Sequence, residues 1–141
     1  MKKIKFLFVV IAGAILVGCG TASKVPITGR TQRLIVNDQQ VLSLSSQEYN
    51  KYMQTATPST DAAATAMVKR VGQRLATAVV SYLNANNMGN EVANYQWEFN
   101  LVQDNQVNAW CMPGGKIVVY EGILPVTKDE ASLAVVLGHE I

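Results

Sequence analysis

A chain of 141 residues with 12 Lys and Arg, 10 Asp and Glu and a formal net charge of +2 is long enough for one modest domain with one core. Residues 1–18 hold three of the lysines and no acidic residue, so the remainder carries 9 basic and 10 acidic groups and a formal charge of −1. That balance excludes a nucleic-acid binder that works by charge.

Lys2, Lys3 and Lys5, the apolar run Phe6–Val17 and the small residues after it have the three-part order of a secretory signal. Twelve apolar residues are too few to span a bilayer. The run ends Leu16-Val17-Gly18-Cys19, which resembles the lipobox of bacterial lipoproteins. The resemblance implies a signal peptide over residues 1–18, cleavage before Cys19, and a membrane anchor through lipid on Cys19. An uncleaved anchor with a chance cysteine is the alternative. With Cys19 lipidated only Cys111 remains, so no intrachain disulfide is available.

Residues 19–59 are polar and irregular, the composition of a tether with short elements. Arg33–Val36 suits a short strand, and Ser43–Met53 a helix with Leu42, Tyr49 and Met53 on its apolar face. A long helix then runs from a cap at Ser59 or Thr60 to about Asn86. Val68, Val71, Leu75, Val79, Tyr82 and Leu83 mark its buried stripe, and Lys69, Arg70, Gln73 and Arg74 a solvated face. Tyr95–Gln103 alternates as a half-buried strand, with Tyr95, Trp97, Phe99 and Leu101 on one side. Val107–Cys111 and Lys116–Leu124 are two further strands, separated by the breaker Met112-Pro113-Gly114-Gly115. The expected fold class is α+β: a long helix packed on a small antiparallel sheet that leads into an active-site helix. Pro125 closes the last strand, and Thr127 with Glu130 has the capping-box spacing for that helix. Leu133, Val136 and Leu137 form its apolar stripe, and His139 and Glu140 follow.

His139 is the only histidine. In the pattern H-E-x-x-H two histidines four residues apart share a helix face and grip zinc, while the glutamate serves as general base. The sequence reaches Ile141, and the second histidine of the pattern would fall two residues beyond it. On its own a His-Glu pair is weak evidence, since a single histidine near a helix end is more often a structural residue or a surface cation than a zinc ligand. Its surroundings add specificity: Asn108-Ala109-Trp110, Pro113-Gly114-Gly115, Gly122-Ile123-Leu124 and Val136-Leu137-Gly138-His139-Glu140-Ile141 occur in that order. The stretch 60–141 resembles the membrane-associated zinc metallopeptidases of the gluzincin type, which include HtpX, the CAAX prenyl endopeptidases and many bacterial periplasmic lipoproteins.

The resemblance implies that residues 60–141 are the N-terminal part of a zincin-like peptidase domain. It implies one zinc ion held by His139, a second histidine and a distal glutamate, the last two outside these residues, with Glu140 as catalytic base. Protein or peptide substrates, a role in quality control and an inactive isolated 141-residue chain are expected. The implied setting is the periplasmic face of a bacterial cell envelope, with the outer membrane preferred because Gly20 is not the aspartate associated with inner-membrane retention. Asn108 and Ala109 would pair with substrate as an added strand or, alternatively, close a turn. Trp97 and Trp110 suit core aromatics better than a specificity pocket, and Cys111 suits an inert buried thiol. A noncatalytic envelope lipoprotein acting as a scaffold is the competing function, since one histidine cannot complete a three-ligand site.

Overall fold

The structure, a computed structural model, describes residues 21–24, 29–34 and 37–141. The expected signal peptide over residues 1–18, Cys19 and the pair Ile35-Val36 lie outside the described residues. The chain divides into two units, residues 1–38 and 39–141. In the first, β1 (Thr21–Lys24) and β2 (Thr31–Leu34) form an antiparallel pair with Thr21 opposite Leu34 and Lys24 opposite Thr31. The ladder begins two residues before the strand expected from Arg33.

The second unit is a three-stranded sheet covered on both faces. Its strands are β3 (Glu98–Val102), β4 (Ala109–Met112) and β5 (Lys116–Tyr120), in the order β3-β5-β4. β5 is antiparallel to β4 but parallel to β3, so the sheet is mixed rather than wholly antiparallel. The tight Pro113-Gly114-Gly115 turn forces the β4–β5 hairpin. Residues 103–108 instead carry the chain past the place beside β3, and β5 takes it. The sequence of β5 suits that central position: Ile117, Val118 and Val119 are all fully buried, as a strand covered on both faces requires.

One face is packed by α1 (Asp38–Thr55), longer than the Ser43–Met53 segment marked by its apolar residues. Tyr49 is 2% exposed and, with Tyr52 and Met53, meets Val102, Val118 and Trp110. The Tyr52 and Trp110 rings sit edge to face at 5.0 Å. A polar network ties the same helix to the sheet: the Tyr49 hydroxyl donates to Glu98 Oε2 at 3.0 Å, and Lys116 Nζ donates to Glu98 Oε1.

The other face is packed by α2 (Ala62–Ala85) and α4 (Glu130–Glu140). α2 buries Val68, Val71, Gly72 and Ala76, whereas Tyr82, expected on the apolar stripe, is 54% exposed on the last turns of the helix. Its cap is Asp61, whose Oδ1 accepts from Ala64 N at 2.8 Å. Ser59 stands further back: its Oγ accepts from Asp61 N at 3.1 Å, its N–H donates to Leu101 O, and Thr57 O accepts from Gln103 N. Residues 57–59 thereby cover the outer edge of β3, with Pro58 bridged to Val102.

Beyond β5 a 3-10 turn (Glu121–Ile123) runs into the one-turn helix α3 (Leu124–Thr127). Pro125 stands at the start of α3, where its missing N–H costs nothing, rather than at a strand end. This moves the cap of α4 from the expected Thr127 to Asp129, whose side chain accepts from Ser132 N at 2.7 Å. Thr127 is buried, and its hydroxyl turns back to Leu124 O.

Candidate active site

Three devices hold α4 in place. Leu133 and Leu137 are fully buried in the cluster that contains Val68, Val71, Ala109 and Ile117. Glu130, in the first turn, accepts from Arg70 Nε of α2 at 3.1 Å. Asp129 closes the N-terminus, and the Ser132 N–H holds its carboxyl below the usual range. α4 lies against α2 and β4. In its last turn His139 is exposed and Glu140 is half-buried.

Glu140 and Ile141 line a cavity of about 220 Å³. Opposite them are Cys111, Met112 and Pro113 from the end of β4, with Tyr95 and Trp97 alongside. Segment 95–98 is drawn in by the turn: Gln96 N donates to Gly114 O and Glu98 N to Gly115 O, each at 2.9 Å. Gly114 and Gly115 have φ of +93° and +79°, so glycine serves the turn. Gly115 has a second role, because a Cβ there would stand 2.7 Å from Trp97 Cε3.

Asn108 and Ala109 lie at the other end of β4 and do not line this cavity. Asn108 O accepts from Tyr120 N at 3.1 Å, and Ala109 stands opposite Val119, 5% exposed. Bonded and non-bonded pairs alternate in an antiparallel ladder. Trp110 and Met112 therefore face their backbone groups toward β5, and Ala109 and Cys111 point theirs out from the edge. At the far end of the hairpin Gly122 lies against the connection into β4: a Cβ would be 2.3 Å from Asn105 O, and Gly122 N donates to Asp104 O. In the sequence, the signal for this close approach is a glycine immediately after a β-rich run.

Burial, and after it the charge of Glu140, push the Cys111 thiol up to about 11, so thiolate is scarce at neutral pH. Trp110 is a packing residue of the α1 face, its Nε1 donating to the Tyr120 hydroxyl at 3.2 Å. Trp97 packs against the core and also walls the cavity.

Among the described residues no group of three or more His, Cys, Asp or Glu side chains is placed to hold a metal ion. His139 offers one imidazole, and zinc needs at least three protein ligands. These residues alone do not compose a zinc site.

Comparison with protein families matches residues 62–141 to Peptidase family M48. The mitochondrial metalloendopeptidase OMA1 of Schizosaccharomyces pombe is 47% identical over 49 residues, 35% of this chain and 14% of that protein. The mitochondrial metalloendopeptidases OMA1 of Danio rerio and Homo sapiens are 30% and 28% identical over 82% of this chain and 23% and 21% of their own lengths. The chain thus spans less than a quarter of the length of these relatives. All three are mitochondrial proteins, which overturns the expected bacterial-envelope, periplasmic-face location.

Proposed function

Because this chain belongs to peptidase family M48, matched over residues 62–141, we propose that it forms part of a zinc-dependent metalloendopeptidase acting on protein or peptide substrates. His139 serves as one zinc ligand and Glu140 as the general base, the division of labour that adjacent His and Glu have in H-E-x-x-H. The observation that carries this reading is that Glu140 shares its cavity with the end of an edge strand. An extended peptide adds to β4 through the outward backbone groups of Ala109 and Cys111. Its carbonyl then passes beside the Glu140 carboxylate, which takes a proton from the attacking water. Cys111 is not a nucleophile in this scheme, since no second imidazole stands by to activate it and its thiol is protonated.

A noncatalytic binding module is the second reading, favoured by the single imidazole among the described residues. Glu140→Gln in the complete protein separates the two. Casein hydrolysis should fall about 10²- to 10⁴-fold while bound zinc, measured by atomic absorption, is retained. Activity within a few-fold of wild type removes Glu140 as the base, and absence of hydrolysis in the wild type returns the binding module.

A further inference from the structure

Resting on the metallopeptidase reading above, we propose that Leu42 and Ser45 of α1 are positioning residues: they clamp the Pro113-Gly114-Gly115 turn and so keep the end of β4 ordered before a peptide adds to it. Ser45 and Tyr49 are the two buried residues of α1. A serine inside a helix often turns its hydroxyl back to the carbonyl four residues earlier. Ser45 Oγ donates instead to Pro113 O at 3.0 Å, 68 residues away in sequence. Leu42, one turn before it, lies against the next residue of the turn: a Cβ on Gly114 would stand 3.3 Å from Leu42 Cδ2.

The turn is thereby held carbonyl by carbonyl. Gly114 O and Gly115 O accept from Gln96 N and Glu98 N, each at 2.9 Å, and Pro113 O accepts from α1. Of these consecutive carbonyls, the one next to the end of β4 takes its bond from Ser45. Leu42, Ser45, Tyr49 and Tyr52 follow one another at helical spacing and form a single stripe. The Tyr49 and Tyr52 rings meet Trp110 of β4 edge to face at 6.5 and 5.0 Å. α1 therefore touches β4 at Trp110 and just past its end at Pro113, on either side of Cys111, whose backbone groups point out from the edge. An edge strand left loose has to be ordered when substrate binds, and that cost is subtracted from the gain of pairing. Residues 62–141 match the peptidase family and α1 lies outside them, so the clamp extends the working unit toward the N-terminus.

The test uses the complete protein and peptides extended stepwise on one side of a single cleavable bond. In the wild type kcat/KM should rise with length as successive residues pair along β4. In Ser45→Ala, and further in Leu42→Ala/Ser45→Ala, that rise should shrink by about 5- to 30-fold, the cost of ordering one backbone residue, while the shortest peptide keeps its rate. Ser43→Ala is the control: Ser43 is exposed on the same helix, its hydroxyl accepts from Gln47 Nε2, and its length profile should match wild type. Melting temperature and bound zinc, measured alongside, separate lost position from lost folded enzyme, which lowers every length alike. Ser45→Ala alone carries the test if the double variant does not fold. An equal fall at all lengths, or a wild-type length profile in folded Ser45→Ala, overturns the clamp. Wild-type rates that do not depend on length, or hydrolysis that survives Glu140→Gln, would instead strike the reading on which the clamp rests.

Discussion

Gly72→Ala should destabilise the protein, although alanine is the better helix former. Gly72 lies in the middle of α2, where its bare Cα faces the ring of Phe99 in β3. An alanine Cβ would stand 2.2, 2.5 and 2.6 Å from Phe99 Cδ1, Cε1 and Cγ. Carbon contacts settle at about 3.5–4.0 Å, so the ring must retreat by roughly 1 Å or more. It has little room: Phe99 is 8% exposed, stacks on Trp97 and belongs to the cluster with Val68 and Ile117. Overpacking a core costs about 1–3 kcal/mol, and a displacement this large belongs at the upper end, about 2–3 kcal/mol. Removing a mid-helix glycine returns about 1 kcal/mol. The net loss is about 1–2 kcal/mol, which for a unit of about 100 residues lowers Tm by about 5–15 °C. Circular dichroism melts of Gly72→Ala, Phe99→Leu and the double variant measure it, and the alanine should cost less once the ring is gone. A Gly72→Ala protein that melts at or above wild type would show that helix propensity alone governs the position, and that α2 does not approach β3 as described.

Asp61→Ala removes the acceptor for Ala64 N and should cost about 0.5–2 kcal/mol, whereas Thr60→Ala should leave the melt unchanged; equal effects would put the cap back where the sequence pattern placed it. The Glu98 carboxyl is held below its usual range by Lys116 and then by the Tyr49 hydroxyl, so its contribution is present above the ordinary glutamate pKa and is lost as pH falls through the lowered value. Urea midpoints followed from pH 7 to pH 3 should therefore drop less steeply on the acid side for Glu98→Gln than for wild type, and parallel curves would show that the network does not favour the carboxylate.

Periodicity carried the parts of this fold that are set by local burial. Val68 and Val71 of α2, and Leu133 and Leu137 of α4, are buried as their spacing requires. The Pro113-Gly114-Gly115 turn sits where the breaker residues stand, between two antiparallel strands. Strand direction was not legible, because alternation along β3 is the same whether its neighbour runs up or down; only the path of residues 103–108 decides. The sequence did hold one clue, the unbroken Ile117-Val118-Val119 run, which suits a central strand better than an edge. Helix starts were misplaced for a similar reason. Ser59 and Thr127 both have the chemistry of a cap, but Ser59 is committed to the edge of β3 and Thr127 to the turn begun by Pro125. Trp97, just before β3, and Trp110, in β4, have identical side chains yet pack in different clusters on opposite faces of the sheet, which composition cannot separate.

The two edges of the sheet are treated differently, and that contrast bears on function more directly than the His-Glu pair does. The outer edge of β3 is closed by residues 57–59, with Ser59 N and Thr57 O completing hydrogen bonds and Pro58 unable to donate one. Pairing of this kind blunts an edge that would otherwise recruit another strand. β4 has a partner only in β5 among the described residues. Yet β4 is the strand beside Glu140, and the connection leading into it is approached closely by Gly122 at residues 105 and 106. A free edge is a hazard for association, and under the function proposed above the edge of β4 is the one a substrate strand pairs with. If β4 were simply an uncovered edge, its register would not matter to hydrolysis; if substrate pairs with it, the backbone groups of Ala109 and Cys111 must stand in step with Glu140.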